Sequence, residues 1–336
     1  MPDQRKLRVL AAVVDEYILT GEPVGSRAVA ARSGINVSAA TIRNDMAMLE
    51  QLGYLEQPHT SAGRIPTYSG YKLYIEELMP SNSLSEEDKK ILDGFIEADL
   101  STTDAIIENA SKALAELTDC AAVIKNISPQ FSIITKVEVI PTGKRMYVLL
   151  LITSTGNVKN KICRLEFDLT HEQLEFFAKY MSENLHGVAL DSLSGEMLEK
   201  LIEAMGAYMV TLTPLLKGVC ELAQGFKSDE IKFTGEKNLL ARRDIDAAQL
   251  VRFFESKNEI QRLLDDSFSD LQVMFGEGGD FVMRNASMIT AKIKKGGVVA
   301  GSLGVLGPMR LDYAKIIPYI EYLTDRISYI ISREEE

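Results

Sequence analysis

Ser38-Ala39-Ala40-Thr41-Ile42-Arg43-Asn44-Asp45-Met46-Ala47-Met48-Leu49-Glu50-Gln51-Leu52-Gly53 is the stretch on which the fold turns. Ala39, Ile42, Met46 and Leu49 recur at helical spacing, which predicts one amphipathic helix over 39–52 with that face turned inward. Ser38 can cap its orphan N–H groups, and Gly53 ends it. The opposite surface carries Ser38, Ala40, Thr41, Arg43 and Asn44 near the helix N-terminus. Upstream, Leu7, Leu10, Ala11, Val14 and Ile18 predict a helix over 4–20, with Asp3 as N-cap and Gly21 as stop. Gly21-Glu22-Pro23 breaks the chain, and a short helix capped by Ser26 follows over 26–32. Downstream, Tyr54-Leu55 and Ile65-Pro66-Thr67 flank the turn-rich Gln57-Pro58-His59-Thr60-Ser61-Ala62-Gly63-Arg64. Three helices, a tight turn between the second and third, then a hairpin and a closing helix over 68–79 spell a winged helix-turn-helix.

That architecture assigns roles. A recognition helix puts its N-terminal residues against base edges in the major groove. Small Ala39 and Ala40 allow close approach, Arg43 matches a guanine, and Asn44 matches an adenine. Thr41 and Ser38 suit a phosphate or a base, helped by the helix N-terminus. In the hairpin, His59, Thr60, Ser61 and Arg64 are the DNA-facing candidates, with Arg64 suited to a phosphate or a minor groove. Arg27 and Arg32 are secondary phosphate contacts or solvated charges.

Beyond the polar break Pro80-Ser81-Asn82-Ser83, helices are predicted over 85–98 and 103–117. Strands follow over 131–140, 145–153 and 158–167, with hairpin turns at Pro141-Thr142-Gly143 and Thr155-Gly156-Asn157, then a helix over 170–184. The pattern then becomes helical, over 195–223 and 247–265, with a short strand at 231–234 between them. Strands resume over 271–275, 288–294 and 298–305, and a last helix runs over 312–333. Strands, a helical interruption and more strands predict a multidomain α+β protein with one unit inserted in another. The expected division is 1–80 for the DNA reader, 81–188 and 267–336 for the interrupted sheet domain, and 189–266 for the inserted α-rich unit.

Charge supports this division. The net charge of −11 argues against a non-specific nucleic-acid binder. Residues 1–75 nevertheless hold eight Lys or Arg against seven Asp or Glu, so the acidic load sits in the remainder, which should face away from phosphates. No apolar run is long enough for a bilayer, and no signal-peptide core follows the N-terminus, so a cytoplasmic protein is expected. Cys120, Cys163 and Cys220 read as buried thiols in a reducing compartment. The three histidines have no zinc-like spacing to them, so neither a metal nor a cofactor is expected. Gly276-Glu277-Gly278-Gly279 lacks the Lys and Ser/Thr of a phosphate loop, and no local arrangement suggests nucleophilic catalysis, which argues against an enzyme.

Several motifs resemble the bacterial heat-inducible transcription repressors of the HrcA family. They are Gly21-Glu22-Pro23-Val24-Gly25-Ser26-Arg27, Ala40-Thr41-Ile42-Arg43-Asn44-Asp45-Met46, and the run from Gln57 to Thr67. Gly70-Tyr71-Lys72-Leu73-Tyr74 and the C-terminal Gly307-Pro308-Met309-Arg310-Leu311-Asp312-Tyr313 extend the match. The resemblance implies a winged helix, a GAF-like domain and a dimerising domain inserted in its sheet. It also implies a homodimer on the inverted-repeat CIRCE operator of chaperone operons, kept active by the GroEL chaperonin. Dimerisation is expected through the inserted unit, where Leu198, Leu201, Ile202, Met205 and Met209 supply either that surface or the unit's own core. The alternative is a winged-helix repressor gated by a small molecule in the GAF-like domain.

Overall fold

The computed structural model describes residues 2–32, 37–59, 62–80, 83–97, 102–125, 132–206, 211–227, 231–242, 244–265, 269–276 and 281–333. The chain is a mixture of helix and antiparallel sheet, as an α+β reading requires.

The N-terminal body follows the predicted order. Helix α1 spans Gln4–Thr20, capped by the Asp3 side chain and ended at Gly21 in the left-handed conformation. Helix α2 spans Ser26–Arg32. Its first turn is held by the Gly25 carbonyl, which accepts from Ala28 and Val29, so Ser26 is the first helical residue and not the cap. Helix α3 spans Ala39–Gln51. Strands β1 (Leu55–Glu56) and β2 (Ile65–Pro66) form the hairpin. Helix α4 (Tyr68–Leu73), capped by Thr67, runs into a π-turn over Tyr74–Leu78. Val9, Leu10, Val13, Val14, Val29, Ile42, Met46 and Leu49 fill the core between these helices. Gly70 has no room for a side chain: a Cβ there would lie 2.2 Å from the Tyr54 carbonyl oxygen.

Helices α5 (Glu86–Glu97) and α6 (Thr103–Thr118) lead to strand β3 (Ala121–Lys125). This strand is absent from the sequence reading. Ala121 to Ile124 are buried without alternation, and an apolar run after a helix carries no strand period to detect. The next strands are β4 (Ile134–Gly143), β5 (Met146–Thr153) and β6 (Val158–Arg164), which make a three-stranded antiparallel sheet of their own. Pro141, Thr142 and Gly143 belong to β4 and not to its turn. The turn is Lys144-Arg145, with Arg145 at φ 59. Helix α7 (His171–Leu185), opened by a Thr170–Gln173 capping box, packs on β4.

The long helix expected over 195–223 is two helices, α8 (Gly195–Met205) and α9 (Thr213–Lys227). Gly206, at φ 73, ends the first, and Pro214 suits the opening turn of the second. Strand β7 (Ile231–Thr234) follows, then α10 (Glu236–Leu240), α11 (Ala247–Glu255) and α12 (Lys257–Asp265). Strands β8 (Leu271–Phe275), β9 (Ala286–Lys295) and β10 (Val298–Pro308) precede the final helix α13 (Tyr313–Arg333). A second sheet takes the order β7-β3-β10-β9-β8.

Two hydrophobic cores result, and they redraw the expected division. One contains β4 to β6, α7, α8 and α9, from Ile134 to Ala223. The other joins the N-terminal body to the five-stranded sheet and to Leu239, Leu250, Phe253, Ile260 and Leu264. The expected unit 189–266 therefore matches neither core. Its first half packs with β4 to β6, while β7 pairs with β3 and α10 to α12 join the five-stranded sheet. The strands of 131–167 and 271–305 are likewise not one interrupted sheet. Leu201 and Met205 are spent inside the smaller core, with Ile202 packed against it. The Leu198 side chain and Met209 lie outside the described residues.

Candidate nucleic-acid interface

Local chemistry builds the presenting end of α3. The Ser38 Oγ accepts from the Thr41 N–H at 3.1 Å and lies 2.9 Å from the Thr41 Oγ1. Ile42, Met46 and Leu49 are buried, which turns Ala40, Arg43 and Asn44 to solvent together with Ser38. Thr41 and Ala39 are half-buried.

One inward residue was not legible. Asp45 is buried beside Ile42 and Met46. It accepts from Arg5 through both oxygens, Nε to Oδ2 at 2.8 Å and Nη2 to Oδ1 at 2.9 Å. That pairing raises the Arg5 pKa through the side-chain hydrogen bond first and the charge of Asp45 second. A carboxylate taken out of water needs such a partner, and this one clamps the start of α1 to α3.

The hairpin leans on α3 and on the segment that precedes α2. Val24 and Arg64 exchange backbone hydrogen bonds at 2.8 and 2.9 Å, adding a third short partner to β1 and β2. Gly63 makes this possible, since a Cβ there would sit 2.3 Å from the Val24 carbonyl oxygen. Gln57 Nε2 donates across the hairpin to the Ala62 carbonyl. The Arg64 side chain is only 19% exposed, and its guanidinium binds Glu50 of α3, with Nε at 2.9 Å and Nη2 at 2.8 Å from Oε2. Arg64, expected at a phosphate or a minor groove, ties hairpin to helix in this structure. Arg43, Gln57 and Arg64 line a groove of about 450 Å³ that also touches Gly25 and Ser26. His59 is exposed at the hairpin tip, while Thr60 and Ser61 lie outside the described residues. Arg27 is exposed on α2; Arg32 ends that helix, and its side chain is outside the description.

The HrcA protein C-terminal domain family matches residues 104–317, which include both sheets. A heat-inducible transcription repressor HrcA of Syntrophobacter fumaroxidans is 32% identical, covering 99% of this chain and 98% of its own length. One from Clostridium perfringens is 32% identical over 94% of this chain and 95% of its own. This chain belongs to the HrcA family of heat-inducible transcription repressors. The HrcA-type repressors are non-enzymatic regulators, and the family implies DNA binding. A solved structure described as a hypothetical protein at 2.2 Å resolution has the same fold, with a TM-score of 0.71 and 25% identity over 99% of this chain and all of that one. Among the described residues, no helix is long and apolar enough to cross a membrane.

Proposed function

We propose that this chain represses chaperone operons as a homodimer on the inverted-repeat CIRCE operator, reading each half-site with a winged helix, and that the GroEL chaperonin keeps it active. The observation that carries the reading is the surface of α3. Ser38, Ala40, Arg43 and Asn44 are presented together at a capped helix N-terminus beside a hairpin held against the same helix. Base edges are read by such residues, with Arg43 on guanine and Asn44 on adenine. His59, Thr60, Ser61 and Arg27 are assigned to the flanking backbone, and Arg64 joins them when it leaves Glu50.

An inverted repeat requires two-fold symmetric readers. The surface proposed for dimerisation is the outer face of the three-stranded sheet. Helices α7 and α9 cover its inner face. On the outer face Ile140, Met146, Val158 and Ile162 are exposed, and Val148, Leu150 and Ile152 between them are only half-buried. Antiparallel sheets with one wet face alternate apolar and polar residues, whereas β5 is apolar on both sides. Such a patch marks an interface. The proposed units are therefore a reader over 1–80, a GAF-like body from 81–125 and 231–336, and an inserted dimerising unit over 131–227.

The test is a mobility-shift titration of the full-length protein on the inverted repeat, one half-site and a scrambled duplex, with and without chaperonin. Tight binding to the repeat alone, with the active fraction raised by chaperonin, is the expected result. Equal binding to the scrambled duplex overturns the operator reading. Indifference to chaperonin, combined with a response to a metabolite extract, selects ligand gating instead.

A further inference from the structure

The C-terminal stretch Gly307–Tyr313 lies far along the chain from the reader but touches it. Tyr313 is fully buried against Tyr71 of α4, with ring centres 5.9 Å apart, and against Phe275 of β8 at 6.1 Å. Tyr68 meets the edge of the same Phe275 at 5.4 Å. Beside this seam, Arg310 reaches the far end of α1. Its guanidinium carbon is 3.4 Å from where a Cβ on Gly21 would stand. Helix α1 has no basic residue in its own last turn, so Arg310 brings a cation to the negative end of that helix. Arg310 is itself held: Nε and Nη2 each lie 2.9 Å from Oδ2 of Asp244, whose Oδ1 accepts from Arg242 at 3.2 Å.

The two kinds of contact do different work. The apolar burial of the aromatic seam resists separation and is in itself non-directional. The Arg310–Asp244 pair lies within the sheet body and, with its required geometry, fixes where the Arg310 guanidinium stands against the end of α1. Helix α1 turns that geometry into a setting for α3, because it is a rod of about 25 Å clamped at its start to α3 by Arg5 and Asp45. The seam of Tyr68 and Tyr71 on Phe275 and Tyr313 joins the same two bodies beside it.

We infer that Arg310 and Asp244 are positioning residues for operator binding: their ion pair at the end of α1 sets the angle at which each arm of the dimer presents its recognition helix. This rests on the dimeric, inverted-repeat reading above. Two readers on one repeat gain affinity from each other only when their separation and angle match both half-sites. A loosened joint forfeits that gain and leaves each reader's own contacts alone.

The experiment measures equilibrium binding of the full-length wild type, Arg310→Ala, Asp244→Ala and the double variant. The probes are the full repeat, a single half-site, and repeats with the spacer lengthened or shortened by one base pair. Each single variant should bind the full repeat about tenfold more weakly and lose its preference for the natural spacer, with half-site affinity unchanged within about twofold. The double variant should be no worse than either single one. Full-repeat affinity and spacer preference like the wild type overturn the joint. Parallel loss of half-site binding also overturns it, because that signals a damaged reader. Single effects that multiply in the double variant overturn the coupling of the two residues. A wild type that binds the full repeat no better than a half-site overturns the dimeric reading, and the joint with it.

Discussion

Arg43 stands exposed on the first turns of α3 with Asn44 beside it, free of the packing that holds Ile42 and Met46. Arg43→Ala is expected to weaken operator binding by about 1–3 kcal/mol and to relax the preference at one base position. Titration against operators substituted at each base measures both effects. Arg64 differs, because Glu50 already occupies it. Glu50→Gln should free the cation for phosphates, raising affinity for every duplex and steepening its salt dependence, while Arg64→Ala should lower affinity and flatten that dependence. Salt titrations of the two variants on specific and scrambled DNA distinguish these outcomes. Ser38, Arg43 and Asn44 were legible because cap and face are set within a single helix. The partners of Arg64 and Asp45 were not, since Glu50 is brought to Arg64 by the hairpin and Arg5 lies on another helix. An Asp in a helical pattern reads as a solvated charge until the tertiary fold supplies its cation.

At the scale of elements, the hairpin depends on how near it comes to Val24, just before α2. Gly63→Ala places a methyl inside the Val24 carbonyl. Displacing the hairpin should destabilise the N-terminal body by more than about 1 kcal/mol and lower affinity for any duplex. Urea unfolding and half-site binding on one preparation test both. Helices and hairpin of this body were readable because each carries its own period, cap or turn. The strands of the sheets were readable as strands but not as partners. Nothing local in 131–167 tells that β4 to β6 pair only among themselves, or that the undetected β3 is the neighbour β10 requires. The break at Gly206 was available in principle, since a glycine after Met205 is a helix stop, but apolar residues on both sides carried the helical period across it.

At the scale of the molecule, the outer face of β4 to β6 decides the oligomeric state in the proposed function. Leu150→Glu and Ile162→Glu place carboxylates at the middle of that face, where the side chains are half-buried and exposed, so the fold should survive while association fails. Sedimentation should report a monomer that keeps half-site binding and loses the advantage of the full repeat. A variant that stays dimeric moves the interface elsewhere.

Lys125 and Ile231 are neighbours in the five-stranded sheet although roughly one hundred residues separate them along the chain. The larger core therefore has a kinetic dependency: β3 and β7 can meet cheaply only after the excursion between them has collapsed and brought its two ends together. Folding should then be sequential, with the smaller core forming first and gating the slower, long-range pairing of the larger. A chain in which a short turn carries β3 directly into β7 is expected to refold faster by stopped-flow fluorescence. Refolding at the same rate as the full chain would place the slow step elsewhere. On this account the exposure of a heat-shock regulator to misfolding is written into its connectivity. While the excursion is unfinished, β3 and β7 lack each other and present open edges that a cell under thermal stress must keep apart from other chains.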